Sequence, residues 1–115
     1  MLETVKKIAD TLYDKKATDI LALDVRNLTV ICDYMIIASG RNTNQVKSLA
    51  RDVDDMMAEA GFTLRRSEGT AEGRWVVLDY ATVLVHIFHQ EERGYYNLER
   101  LWSDGTNAVP LDLAE

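Results

Sequence analysis

Apolar residues recur along this chain with two different periods, and the switches between them mark out its elements. Leu2, Val5, Ile8, Ala9 and Leu12 fall at helical spacing, one stripe of a first helix. Lys15-Lys16 near its end suit the negative pole of the helix dipole. Residues 19–25 are short and apolar and predict a strand, with Arg26-Asn27-Leu28-Thr29 as a turn. The run from Tyr34 to Ala38 is almost continuously apolar, as expected of a strand covered on both faces. Ser39-Gly40 break that pattern and a second helix follows, capped by Asn42 or Thr43, with Gln45 in capping-box-like spacing to Asn42. Its buried stripe is Val46, Leu49, Ala50, Val53, Met56, Met57 and Ala60, and Gly61 is placed to end it.

Residues 62–65 predict a short edge strand, and residues 67–74, with Gly69 and Gly73, a polar loop. Residues 75–79 and 83–88 are apolar runs on either side of Tyr80-Ala81-Thr82, the pattern of a hairpin. A last helix carries Tyr95, Leu98, Leu101 and Trp102 on one stripe. From Ser103 onward Gly105, Pro110 and few large side chains predict a loose tail. The expected organisation is therefore a single domain over residues 1–102 and a loosely ordered tail over 103–115. Helices alternating with strands predict an α/β fold, a mixed β-sheet with helices packed against it.

Composition leaves this picture intact. A chain of 115 residues, 47% hydrophobic and 28% charged, fits one domain with a radius of gyration of ~13 Å. A lone cysteine, Cys32, forms no internal disulfide, which suits a reducing compartment. No apolar run approaches the ~20 residues that span a bilayer, and the first residues lack the basic-then-apolar order of a signal peptide. A cytoplasmic protein without membrane contact is the simple expectation. Net charge does more. Thirteen Lys and Arg against nineteen Asp and Glu give −6, a field that opposes DNA or bare RNA and favours a basic protein partner.

Candidate chemistry is sparse. Ile36-Ile37-Ala38-Ser39-Gly40 before a helix invites a phosphate, because helix N-termini offer free N–H groups. The additional glycines or Gly-Lys-Ser/Thr ending of a phosphate loop are absent, and an ordinary strand-to-helix turn is the simpler reading. A nucleotidyltransferase site needs two carboxylates near one Mg²⁺. Asp79 ends a strand, but Val77 stands where its partner belongs, while Asp52, Asp54 and Asp55 fall on the solvated face of a helix. No cofactor or metal ligand set emerges; Cys32 is far in sequence from His86 and His89.

His86 lies inside an apolar strand and shares a face with Leu84 and Phe88. It reads first as a packed, hydrogen-bonded histidine and second as a partner contact, whereas His89 falls on the opposite face. Among the aromatics, Trp102 and Tyr95 are expected in the core, and Trp75 and Tyr80, flanking the hairpin with Asp79, at the surface. Aromatic anchors beside a charge are common at binding hot spots. The expected partner-contact residues are Trp75, Asp79, Tyr80, His86, Phe88 and Glu91, with Glu92 beside the last.

Four segments in order carry a resemblance: Asp33-Tyr34-Met35-Ile36-Ile37-Ala38-Ser39-Gly40 with Gln45-Val46; Trp75-Val76-Val77-Leu78-Asp79-Tyr80; Val85-His86-Ile87-Phe88; and Arg93-Gly94-Tyr95-Tyr96-Asn97-Leu98-Glu99-Arg100-Leu101-Trp102. Together they resemble the ribosomal silencing factor, or Iojap-like, family over nearly the whole chain. The resemblance implies a nucleotidyltransferase-like fold without catalysis. It further implies binding to the large ribosomal subunit through large-subunit ribosomal protein fourteen, which obstructs joining of the small subunit. Two positions depart from the family pattern: Cys32 where Thr is usual, and Ala81-Thr82 where Gly-Asp is common. The alternative of another class is a nucleotide-binding, transferase-like enzyme. A homodimer paired through an exposed strand edge is compatible with the first reading.

Overall fold

A chain with these two periods must bury one face of each helix and both faces of its most apolar strand, and the structure does so around a single sheet. The structure is a computed structural model, and it describes residues 1–113. In chain order the elements are α1 (Leu2–Asp14), β1 (Thr18–Asp24), β2 (Tyr34–Gly40), α2 (Thr43–Glu59), β3 (Arg66–Glu68), β4 (Trp75–Asp79), β5 (Val83–His89), α3 (Gln90–Tyr96) and α4 (Leu98–Trp102). The sheet runs β1-β2-β5-β4-β3. Only β2 and β5 pair in parallel; the other three pairs are antiparallel. A parallel neighbour requires a crossover, and α2 lies on the connection from β2 towards β5.

Every residue of β2 is buried, which explains its unbroken apolar run: it lies second in the sheet with structure on both faces. The strand continues through Ser39 and Gly40, two residues further than the sequence pattern suggested. Gly40 packs closely on α2, where a Cβ would sit 3.0 Å from Val46 Cγ2. α2 begins as its sequence dictates. Asn42 Oδ1 accepts from Gln45 N at 2.8 Å and Gln45 Oε1 accepts from Arg41 N at 2.7 Å, a reciprocal cap that satisfies end donors.

Strand alternation divides the core in two. On one face Ala22, Ile36, Ala38, Val76, Leu78, Val83, Val85 and Ile87 pack under Val5, Ile8 and Leu12 of α1 and Val46, Leu49, Val53 and Met57 of α2. On the other, Leu23, Met35, Ile37 and Phe88 pack with Val25, Cys32 and Leu98, edged by Trp75, Leu84 and Trp102. The radius of gyration is 12.8 Å.

Three expectations are corrected. The edge strand lies at Arg66–Glu68, not at 62–65, because Phe62 and Leu64 are used as half-buried packing against the helix-side core. Gly69 closes the following turn at φ +81, where a Cβ would fall 2.0 Å from Trp75 O. The last helix is two short ones, broken at Asn97 in the left-handed region (φ 50). The break rotates Tyr95 (81% exposed) and Leu101 (74%) away from buried Leu98, so Tyr95 is not a core residue.

The segment after Ser103 is tied down. Asn107 Nδ2 donates to Asp24 O and Trp102 O at 3.0 and 2.9 Å, Val109 N donates to Ala22 O at 2.8 Å, and the Val109 side chain is buried. Residues 107–109 thereby cover the free edge of β1. Val109, a single small apolar residue beside Pro110, carried no such signal in sequence.

Candidate protein-interaction site

Alternation along β4 sends Trp75, Val77 and Asp79 to the face opposite α1 and α2, and pairing places them against Phe88, His86 and Leu84 of β5. Arg66 and Glu68 of β3 stand opposite Asp79 and Val77 on that same face. Among the described residues nothing equivalent to α1 and α2 covers this end of the sheet. Trp75, Val77, Asp79 and Leu84 are half-buried as a result. Ile31, Arg66, Glu68, Val77, Asp79 and Leu84 line a shallow cleft of about 170 Å³.

An aromatic row leads from the core to the surface at the other end of β4. Phe88 is completely buried, the Trp75 ring stacks on it at 4.8 Å, Tyr96 meets Trp75 at 4.7 Å, and Tyr95 stands edge-on to Tyr96 at 5.0 Å. His86 sets the orientation of the indole: Trp75 Nε1 donates to His86 Nδ1 at 3.1 Å. With Nδ1 accepting, the neutral ring carries its proton on Nε2, which has no hydrogen-bond partner among the described residues. Burial pushes the His86 pKa down to about 4, so the imidazole is uncharged at neutral pH.

Electrostatics around this face are mixed and mostly engaged. Asp79 Oδ1 accepts from Ala81 N at 2.8 Å and holds the hairpin turn, in which Ala81 takes φ 73. His89 caps α3 through Nδ1, which accepts from Glu91 N at 3.1 Å. Arg74 donates to Glu92 at 2.5 and 3.1 Å and lies 3.6 Å from Glu91. His89, Glu91 and Glu92 bring one ligand atom each within 4.8 Å, yet the Arg74 guanidinium already pairs with Glu92 and lies near Glu91, and an ion-pair network describes the cluster. At the strand-to-helix turn, Ser39 Oγ accepts from Arg93 Nη1 at 2.9 Å. With Asn42 and Gln45 taking two nearby N–H groups, that turn is bonded internally.

Of the six expected contact residues, the structure brings Trp75 and Asp79 to the open face and puts Glu91 on an exposed rim nearby. The other three are corrected. Phe88 is fully buried beneath Trp75 and reaches no partner. His86 is 7% exposed and serves the face by holding Trp75. Tyr80 turns to the helix side, is buried, and donates from its hydroxyl to Asp54 Oδ1 at 2.7 Å, so Asp54 is not merely solvated. Sequence reasoning missed Val77 and Leu84 as contact residues, although period-two alternation identifies Val77 from Trp75 and Asp79 on β4 and Leu84 from His86 and Phe88 on β5. It also missed the β3 charges, and only the fold brings Tyr96, one of the candidate aromatics, against Trp75.

Comparison with known proteins decides which family this face belongs to. The family described as "Ribosomal silencing factor during starvation" matches residues 1–115. This chain belongs to the ribosomal silencing factor family. A ribosomal silencing factor of Bacillus subtilis is 46% identical over 91 residues, covering 79% of this chain and 77% of the relative. The chloroplastic Iojap protein of Zea mays is 33% identical over 106 residues, 92% of this chain but 45% of the relative. A crystal structure from Bacillus halodurans superposes with a TM-score of 0.84 at 34% identity, covering 96% of this chain and all of that one. One from Chromobacterium violaceum gives the same score at 36% identity, covering 97% and 96%. Membership of this family makes the protein a regulator of translation rather than an enzyme. Among the described residues no helix is long and apolar enough to cross a membrane.

Proposed function

We propose that this protein is a cytoplasmic repressor that binds the large ribosomal subunit through large-subunit ribosomal protein fourteen and keeps the small subunit from joining. The observation that carries the reading is the half-buried β3–β4–β5 face, an apolar and aromatic surface built around Trp75 and bordered by Asp79, Glu68 and Glu91. A basic ribosomal protein supplies the matching charge, and a chain of net charge −6 approaches it faster than a neutral one would. The family's name for its members as silencing factors supports the same reading.

The mechanism is steric. A body of 34 × 33 × 31 Å held at the seam between subunits prevents their closure without any chemical step. The surface is sufficient: a standard interface takes ~800 Å² per partner, about an eighth of the 6669 Å² exposed here. Co-sedimentation with purified subunits tests the proposal. The protein travels with large subunits, not with small ones, and its excess lowers the yield of joined ribosomes. Protein remaining at the top of a low-salt gradient, or joining unaffected at saturation, overturns it.

A further inference from the structure

Beside the open face stands a loop whose side chains contradict its position. Between β1 and β2, Leu28 is 45% exposed, Ile31 65% and Val30 103%, so three branched aliphatic side chains close together are left in water. A slack loop would fold them inward, but this one is held at both ends. Val25 N donates to Asp33 O at 2.9 Å, Leu28 N and Thr29 N both donate to Val25 O at 3.0 and 3.1 Å, and Asp33 N donates to Thr82 O at 2.8 Å. At the tip, Ile31 N donates to Thr29 Oγ1 at 3.1 Å. Cys32 is buried beneath, in the core of the second face. Val30 is therefore presented, and the ordering entropy that a docking loop must lose on binding is already lost in folding.

Ile31 lines the same cleft as Val77 and Leu84, which makes the loop continuous with the docking face. Given docking through that face, we propose that residues 28–31 are a second contact arm, with Val30 and Ile31 entering an apolar depression of the same basic partner protein. Of the residues that line the cleft, Asp79 and Glu68 are acidic and Arg66, 3.5 Å from Glu68, is the one cation. An acidic rim around an apolar centre matches a partner patch with cations around an aliphatic hollow. A second copy of this chain would bring the same carboxylates to the same rim, and like charges oppose that pairing.

Val30→Asp tests the arm, because a fully exposed side chain costs the fold nothing when replaced. Binding to purified large subunits is measured by sedimentation for wild type, Val30→Asp, Ile31→Ser and, as a control on α2, Ala58→Asp; melting temperature and self-association are measured in parallel. The expected result is affinity reduced roughly tenfold or more for Val30→Asp, a smaller loss for Ile31→Ser, and none for Ala58→Asp. The new carboxylate favours a basic partner at long range, so a loss reports contact at the tip. Wild-type binding by both loop variants overturns the arm while leaving the docking face standing. A change confined to self-association assigns the loop to contacts between copies and also overturns it. Failure of the wild-type protein to bind large subunits removes the docking face and the arm together.

Discussion

The two faces of the sheet are built from the same strands and have opposite fates. On the helix side α1 and α2 cover β1, β2, β4 and β5, and residues such as Ile36, Val76 and Val85 are wholly buried. Even the polar Tyr80–Asp54 pair is directed inward there. On the other side α3, α4 and the loop that carries Cys32 cover β1, β2 and the Phe88 end of β5, and among the described residues the outer part of the sheet stays open with Trp75, Val77 and Leu84 half in water. Burial of apolar area stabilises a fold by ~25 cal/mol per Å², so an uncovered apolar face is stabilisation left unrealised. In a protein that binds by shape, that unrealised part remains for the partner to complete.

The contrast is broken most forcefully at Phe88, which belongs by register to the open face but by burial to the core. Phe88→Ala should lower unfolding free energy by about 3–5 kcal/mol in a urea titration; a loss below 1 kcal/mol would mean that the ring is not core. Trp75→Ala, one layer further out, should show the reverse emphasis. Its subunit binding should weaken by roughly thirtyfold, the equivalent of ~2 kcal/mol at a hot spot, in a protein that still unfolds cooperatively. Unchanged binding would move the contact elsewhere.

Protonation sharpens the comparison. The His86 pKa lies at about 4 in the folded chain, because burial disfavours the cation, and at ~6.5 when unfolded. Between those values the unfolded state binds more protons, so stability falls as pH drops from about 6.5 towards 4 and is flat with respect to this group above. The urea midpoint of His86→Gln should therefore change less across that window than that of wild type, and equal slopes would refute the assignment. The smallest effect is at the hairpin. Ala81 holds φ 73, a conformation costing non-glycine residues about 1–2 kcal/mol, partly offset by the greater unfolded freedom of glycine. Ala81→Gly should stabilise by roughly 0.5–1 kcal/mol without altering binding; a lower melting temperature would contradict it.

Much of the architecture was legible in the chain. The α2 stripe from Val46 to Met57, its Asn42–Gln45 cap and the doubly covered β2 follow from local spacing, because helix and strand periods are local properties. The acidic balance and the Trp75–Asp79 run likewise pointed to a binding surface on the hairpin. Only tertiary structure decided which side of that hairpin is open. Tyr80 faces inward because it follows Asp79 in the alternation and finds Asp54 on a helix twenty-six residues away. Phe88 disappears under Trp75, Tyr95 swings out because Asn97 turns left-handed, and the residues after Ser103 are fastened by bonds to a strand more than eighty residues earlier. Such outcomes depend on which distant element arrives to cover a surface. Local spacing determines the face on which a side chain stands, and the packing of the whole chain determines whether that face meets protein or water.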